Sequence, residues 1–420
     1  MLWVSVRDAL ASAALSMALA SLTAAQSLAP PVAVRIAVGE QLTFRVLDSV
    51  SSDESTARRA LRAILSAPLI VDGEIIVAPG APAFAHIERT GTDSARRHVL
   101  RISFDSLDAN GTVTRLAVRV TSVDNAREKV DSDGLIAGPP AGRTMRGKKT
   151  WALMAFGIIH PVAAAALFGA SKLGARERER EVRYAPGTDF ATVVTEPLTL
   201  SLPVRAHAWV PILPIDSLRR IVQAWPVNTE AEKGRVGADA LNMALLGDSA
   251  DIVAAFRAAG WTSANRMSLR ADVATFVRAA EDRGYAHQPI STLLMNGQPA
   301  ALMFERVTNT FAKRHHVRIW RWSDRIDGSP VWLASASHDV AITFVADRRH
   351  FTHKVDPALD QEREKLTADL WLAGCIAARS DVPRNLPGTL RVNDGKDPIT
   401  TDGALVMLRL RRACETGRAR

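Results

Sequence analysis

Two stretches of this 420-residue chain open in a way that few folds accommodate. AVGEQLTFRVLDSVS, near residue 37, and APGTDFATVVTEPLTL, near residue 185, each set a glycine before a run of alternating apolar and polar residues. VAPGAPAFAHI, near residue 77, is a weaker third copy. A period of two buries one face of a strand, and a glycine ahead of it permits a turn that other residues resist. HVLRISF and TRLAVRVTSV add further strand-like runs between Gly, Asp, Asn and Ser turns. The expectation is a β-barrel or sandwich-like domain over residues 26–202.

Hydrophobic content of 47% and charged content of 23% are those of a globular protein, and the length suggests more than one core. A formal charge of +9 favours anionic partners: nucleic acid, acidic lipid headgroups or phosphorylated small molecules. The amino terminus chooses among them. Arg7 precedes an uncharged run from Ala9 to Ala25, and Thr23 and Ala25 fit the small-x-small cleavage rule, so residues 1–25 read as a secretory signal peptide. Export argues against nucleic acid. Cys375 and Cys414 would pair in an oxidising compartment and sit as buried small hydrophobes in a reducing one.

An insertion interrupts the β-rich domain. After Arg143, Arg146, Lys148 and Lys149, the run from Trp151 to Ser171 carries no formal charge and is long enough to cross a bilayer. The apolar helix expected over 151–173 either enters a membrane or packs on the barrel or on a copy of itself. The protein would then be periplasmic or anchored at the inner membrane. Residues 203–235 form a Pro-rich connector with a short helix around Ser217 to Trp225.

Residues 236–420 change style to α+β. LNMALLG reads as a buried strand, and Asp248 or Ser249 caps a helix stopped by Gly260. A second helix follows Ser268, and a last one starts at Asp356 and Pro357 and ends at Gly374. Between them lie several strands, and ALVMLRL closes the set. The fold class is α+β: an amino-terminal β-barrel or sandwich interrupted by an apolar helix, then a mixed antiparallel sheet with packed helices.

Titrating and stacking residues concentrate between Lys313 and Asp360. On a strand, His315 shares a face with Val317 and Ile319, which marks it as a core histidine. His316 shares the other face with Arg318, Trp320 and Trp322. Arginine offers a fork of donors to phosphate and tryptophan a stacking wall, so His316, Arg318 and Trp320, with Arg321, are the candidate ligand-binding residues. A zinc or manganese site drawn from His316, His353 and Asp356, with His338 as a fourth ligand, is the alternative, although Asp356 also suits a helix cap. A Ser-His-Asp set from Ser335, Ser337, His338 and Asp339 lacks the sharp turn that exposes a nucleophile.

ALNMALLG, the AAGW helix end, RHHVRIWRW, WLASASHD and THKVDPALDQERE occur in that order, and with them the chain from about residue 236 resembles the LssY C-terminal domain family. The resemblance supplies no activity. The glycine-launched strands resemble the β-rich periplasmic domains of VirB10 and TrbI conjugation proteins. The expected function is that of an exported cell-envelope protein binding an anionic or phosphate-bearing ligand. The alternative is a metal-dependent hydrolase acting on phosphorylated envelope substrates.

Overall fold

The computed structural model describes residues 32–71, 74–109, 111–124, 126–138, 181–202, 209–231, 237–266, 289–290, 292–306, 314–345, 350–384, 386, 389–392 and 397–415. The expected signal peptide, the apolar insertion and the helix after Ser268 lie outside them. Among the described residues the protein is β-rich with few helices, and no helix is long and apolar enough to cross a membrane.

The glycine-launched runs build a nine-stranded near-barrel sheet. Gln41–Val46, Ala60–Leu65, Pro82–Thr92 and His98–Ala109 lie side by side, and Asp189–Val194 fits between Gln41–Val46 and Val118–Val123. The three sequence copies make one repeated contact. Gly39 N donates to Val194 O, Gly187 N to Val46 O and Gly80 N to Leu65 O, and in each case the receiving residue donates back to the carbonyl one step after the glycine. Gly39, Gly80 and Gly187 all adopt φ near +90° to +100°, a region closed to most side chains, which is why each copy opens on glycine. The buried faces meet in an aromatic stack, with Phe44 and Phe104 4.7 Å apart and Phe190 6.0 Å from Phe104.

The second sheet runs Thr262–Ser263, Leu302–Arg306, Arg314–Ile326, Ser329–Val345, Met243–Leu246, Ala404–Leu410, Ile376–Pro383, and His350–Val355 pairs alongside Ser329–Val345. It is mixed, because Met243–Leu246 runs parallel to Ala404–Leu410 while its other pairings are antiparallel. Among the described residues three α-helices occur: α1 (Ile215–Val222), α2 (Ser249–Ala258) and α3 (Leu359–Leu372). Ile252 and Phe256 of α2 and Leu366 and Leu370 of α3 share a core with Val317, Ile319 and Ala336 on one face of the sheet. Leu218 and Val222 of α1, with Ala238, Leu293 and Met295 of a four-stranded sheet, share a core with Trp320 and Leu333 on the other. Both faces of the second sheet are therefore covered.

The local signals for α2 hold: Asp248 caps it, Asp251 completes a capping box, and Gly260 ends it at φ +81°. For α3 the expected start moves. Its cap is Ala358, because the Asp356 carboxylate accepts the Ala358 N–H at 2.9 Å and forms a tight turn ahead of the helix. Gly374 follows the end of α3 at φ +70°, its carbonyl accepts the Glu415 N–H, and Cys375 is disulfide-bonded to Cys414 beside it. A Cβ at residue 374 would overlap the Glu415 carbonyl oxygen. Gly374→Ala should lower stability by more than about 1–2 kcal/mol, the cost of the left-handed backbone alone. Urea denaturation checks this, and a midpoint equal to the parent's would mean that the carboxy-terminal turn does not pack there.

Candidate functional site at the junction of the two sheets

Three strands of the second sheet lay down one polar row. Arg306, His315 and His338 are cross-strand neighbours, directly beyond the apolar row Phe304, Val317 and Ala336. α3 aims Glu362, Lys365 and Asp369 at the same place, at spacings that put all three on one side of a helix. The amino-terminal sheet supplies the rest. Asp124 follows strand Val118–Val123, Asp189 opens the strand beside it, and Asp124 N donates to Asp189 O at 2.9 Å. Arg45 lies opposite Asp189 in the next strand.

These groups interlock. His315 Nδ1 is 2.6 Å from Glu362 Oε2, and its Nε2 is 2.6 Å from Asp124 Oδ1. Lys365 pairs with both Asp124 and Asp189. Arg45 grips Asp189 with two hydrogen bonds of 2.8 and 2.7 Å and reaches across to Asp369. Asp369 also accepts from Arg306 and from the Trp261 indole, and Arg306 donates to the Gly187 carbonyl at 3.0 Å. Arg45, Arg306, Lys365 and a protonated His315 balance Asp124, Asp189, Glu362 and Asp369, four charges against four.

Burial works against the charged forms of Arg45, Asp124, Asp189, His315, Lys365 and Asp369, and their partners outweigh it. Burial alone would discharge His315, yet Asp124 and Glu362 hold its ring up at about 9. Burial likewise favours neutral carboxyls, but Arg45 and Lys365 hold Asp189 down at about 2, and His315 and Lys365 hold Asp124 well below the usual carboxylate range. Asp369 is lowered by Arg45, Lys365 and Arg306 against the same opposition. The signs give a pH window. Asp189 has a depressed folded value, so its contribution is present above 3.8 and is lost as pH falls through about 2. His315 has a raised one, so its contribution is complete below 6.5 and is lost as pH rises through about 9. The melting temperature of cation-free protein should therefore be highest between about pH 4 and 6.5 and fall toward pH 9. A curve flat from neutral pH to about 10 would contradict the buried pairing of His315.

Solvent reaches the junction at its His338 end. The His338 ring stacks on His315 with centroids 4.3 Å apart, and its Nδ1 is 3.6 Å from Asp356 Oδ2. The two side chains are 19% and 31% exposed, whereas His315 is sealed, so solvent reaches the cluster from the His338 side. The hydrogen bonds from His338 and from Ala358 N keep Asp356 below its ordinary carboxyl value against partial burial. One ligand atom from each of Asp124, His315 and His338 lies within 4.8 Å of the other two. Glu362, on the far ring nitrogen of His315, holds the imidazole as outer-sphere carboxylates hold metal-bound histidines.

The expected ligand face looks different. His316, Arg318 and Trp320 do share one side of their strand, but that side is closed under the four-stranded sheet and all three are buried. Arg318 donates to Asp239 at 2.9 Å, and the Trp320 indole donates to Gln298 O. Arg321 alone of the four is exposed. Alternation assigned the faces correctly, but His316 faces away from His338, so the metal set loses it. His338 and Asp356 lie 3.6 Å apart, His353 pairs with Ile342 with its side chain outside the described residues, and the residues whose ligand atoms gather around His338 are His315 and Asp124.

Ser337 finds His316 rather than His338. Its hydroxyl lies 2.9 Å from His316 Nε2 and donates to Asp239 at 3.1 Å, while His316 Nδ1 is 3.6 Å from Asp339. One hydroxyl proton given to Asp239 leaves His316 as the donor, the reverse of what an activated serine needs. Burial and the nearby Asp339 lift Asp239 above its usual value, although Arg318 opposes them. This inner cluster ties the two layers together.

Sequence reasoning missed Arg45, Asp124, Asp189, Arg306, Glu362, Lys365 and Asp369. The available signal was on α3, where Glu362, Lys365 and Asp369 interleave with the buried Leu366 and Leu370. No curated protein matches this chain. Residues 222–405 match the family model described as the LssY C-terminus, so the segment that brings Arg306, His315, Glu362, Lys365 and Asp369 to the junction is similar to that family.

Proposed function

We propose that this is an exported cell-envelope protein that engages an anionic, phosphate-bearing envelope substrate through a divalent cation that would displace the proton between His315 Nε2 and Asp124 and be held at Asp124, His315 and His338. The observation that carries the reading is the convergence of those three ligand atoms within 4.8 Å at an end of the junction that solvent reaches. The Asp356 carboxylate lies 3.6 Å from His338 Nδ1 and would add a fourth donor, the second oxygen of the set. Imidazole and carboxylate suit zinc or manganese, and such an ion polarises a phosphoryl oxygen and activates water, which makes hydrolysis of a phosphorylated substrate the natural chemistry. The Cys375–Cys414 disulfide and the uncharged amino-terminal run support export. The near-barrel sheet would serve as a periplasmic support of the VirB10 and TrbI kind, and the Trp151 to Ser171 run would add an inner-membrane anchor.

Elemental analysis of the purified chain, before and after dialysis against zinc or manganese, tests the reading, with p-nitrophenyl phosphate as the probe substrate. One ion per chain, lost in Asp124→Asn and His338→Ala, is the expected result. A chain that takes up no stoichiometric ion under either condition overturns it. Binding without turnover is the second reading, favoured by Arg321, which remains exposed on the long hairpin. It predicts that cation-loaded protein retains acidic liposomes yet leaves the phosphate ester intact.

A further inference from the structure

The cation site is not the property of either sheet. His315 and His338 come from the carboxy-terminal sheet, whereas Asp124 comes from the end of the amino-terminal one. We propose that cation binding and docking of the two sheets are coupled: Asp124 reaches the site only while the junction is closed, so closure sets the cation affinity and the cation in turn locks the junction. This rests on the reading of Asp124, His315 and His338 as a cation site.

The connection between lock and site is short and continuous. Arg45 spans the junction to Asp369, Arg306 spans it in the other direction to the Gly187 carbonyl, and Lys365 bridges Asp189 and Asp124. Asp124 is therefore held by the same lysine that holds the docking strand, and its backbone N–H is bonded to Asp189. Loosening Arg45 or Arg306 lets the amino-terminal sheet recede and carries one ligand away, although neither arginine touches a ligand atom of the site. By thermodynamic reciprocity, whatever affinity closure confers on the cation, the cation confers on closure.

Two measurements on the full chain test the coupling. In the parent protein, saturation with zinc should slow amide hydrogen exchange in the strand Asp189–Val194 and in α3, on opposite sides of the junction. In Arg45→Ala, zinc affinity measured by competition with a chelating dye should fall by about tenfold or more, within the usual range of coupling between sites. Should Arg45→Ala fail to fold, Arg306→Lys, which keeps the charge and loses the fork, replaces it. Bound zinc with unchanged exchange in both segments, or a variant affinity equal to the parent's, overturns the coupling and leaves the cation site standing. A parent chain that binds no zinc overturns both.

Discussion

Asp369→Ala is expected to cost about 3–5 kcal/mol of unfolding free energy, the usual penalty for removing one partner from a buried ion pair. The Asp369 side chain has no solvent exposure, while those of Arg45 and Arg306, which it pairs with, are 11% and 16% exposed. Its removal also orphans the Trp261 indole N–H, bonded to it at 3.0 Å. Arg45 keeps its two bonds to Asp189, but among the described residues Arg306 keeps just one side-chain hydrogen bond, to the Gly187 carbonyl. Asp369→Asn, which keeps one oxygen acceptor and the side-chain volume, should lose less than the alanine variant. Urea denaturation of both variants gives the comparison. A loss below about 1 kcal/mol for Asp369→Ala would show that water enters the junction in solution, since only water would compensate two guanidinium groups at so little cost.

The second large effect concerns the disulfide. Cys375 and Cys414 are 39 residues apart, and closing a loop of that length is worth about 4 kcal/mol in the chain-entropy model. The bridge fastens the carboxy-terminal turn to the end of α3, the helix that carries Glu362, Lys365 and Asp369. Reduction, or Cys375→Ser with Cys414→Ser, should therefore lower the urea midpoint by an amount comparable to the loss of Asp369. Alkylation before and after reduction, read by mass, reports the state of the bond in cells. Two thiols alkylated without reductant in freshly quenched cells would place the domain in a reducing compartment and sink the export reading.

How much of this was visible in the sequence depends on the range of the signal. The glycine before each alternating run was legible because a positive φ is a local demand, met by Gly39, Gly80 and Gly187 without reference to the rest of the fold. Alternation also separated His315 from His316. It could not say what lies over each face, and that was decisive. Asp239, from a short strand far back in the chain, closes over His316 and Arg318 and turns an apparent ligand surface into an inner layer. The junction was illegible for a related reason: His315 and Asp124 are 191 residues apart, and Arg45 and Asp369 are 324 apart. No local pattern marks an aspartate at a strand end as the partner of a histidine in another sheet. Only α3 carried a readable hint, since charges at core-facing helical positions must find buried partners.

The strand Asp189–Val194 is the last long piece of the amino-terminal sheet to leave the ribosome, yet its place is inside the sheet, one strand in from its Val118–Val123 end and beside Gln41–Val46. Until it arrives, both neighbours present an unpaired edge, and the sheet is completed only by long-range pairing, which is slow and exposed to wrong partners. The same strand begins with Asp189, the anchor of Arg45 and Lys365. Maturation is therefore ordered in time: the stroke that seals the first sheet also installs the acid that receives the second, so a misfolded amino-terminal half has no finished surface on which the carboxy-terminal half can settle.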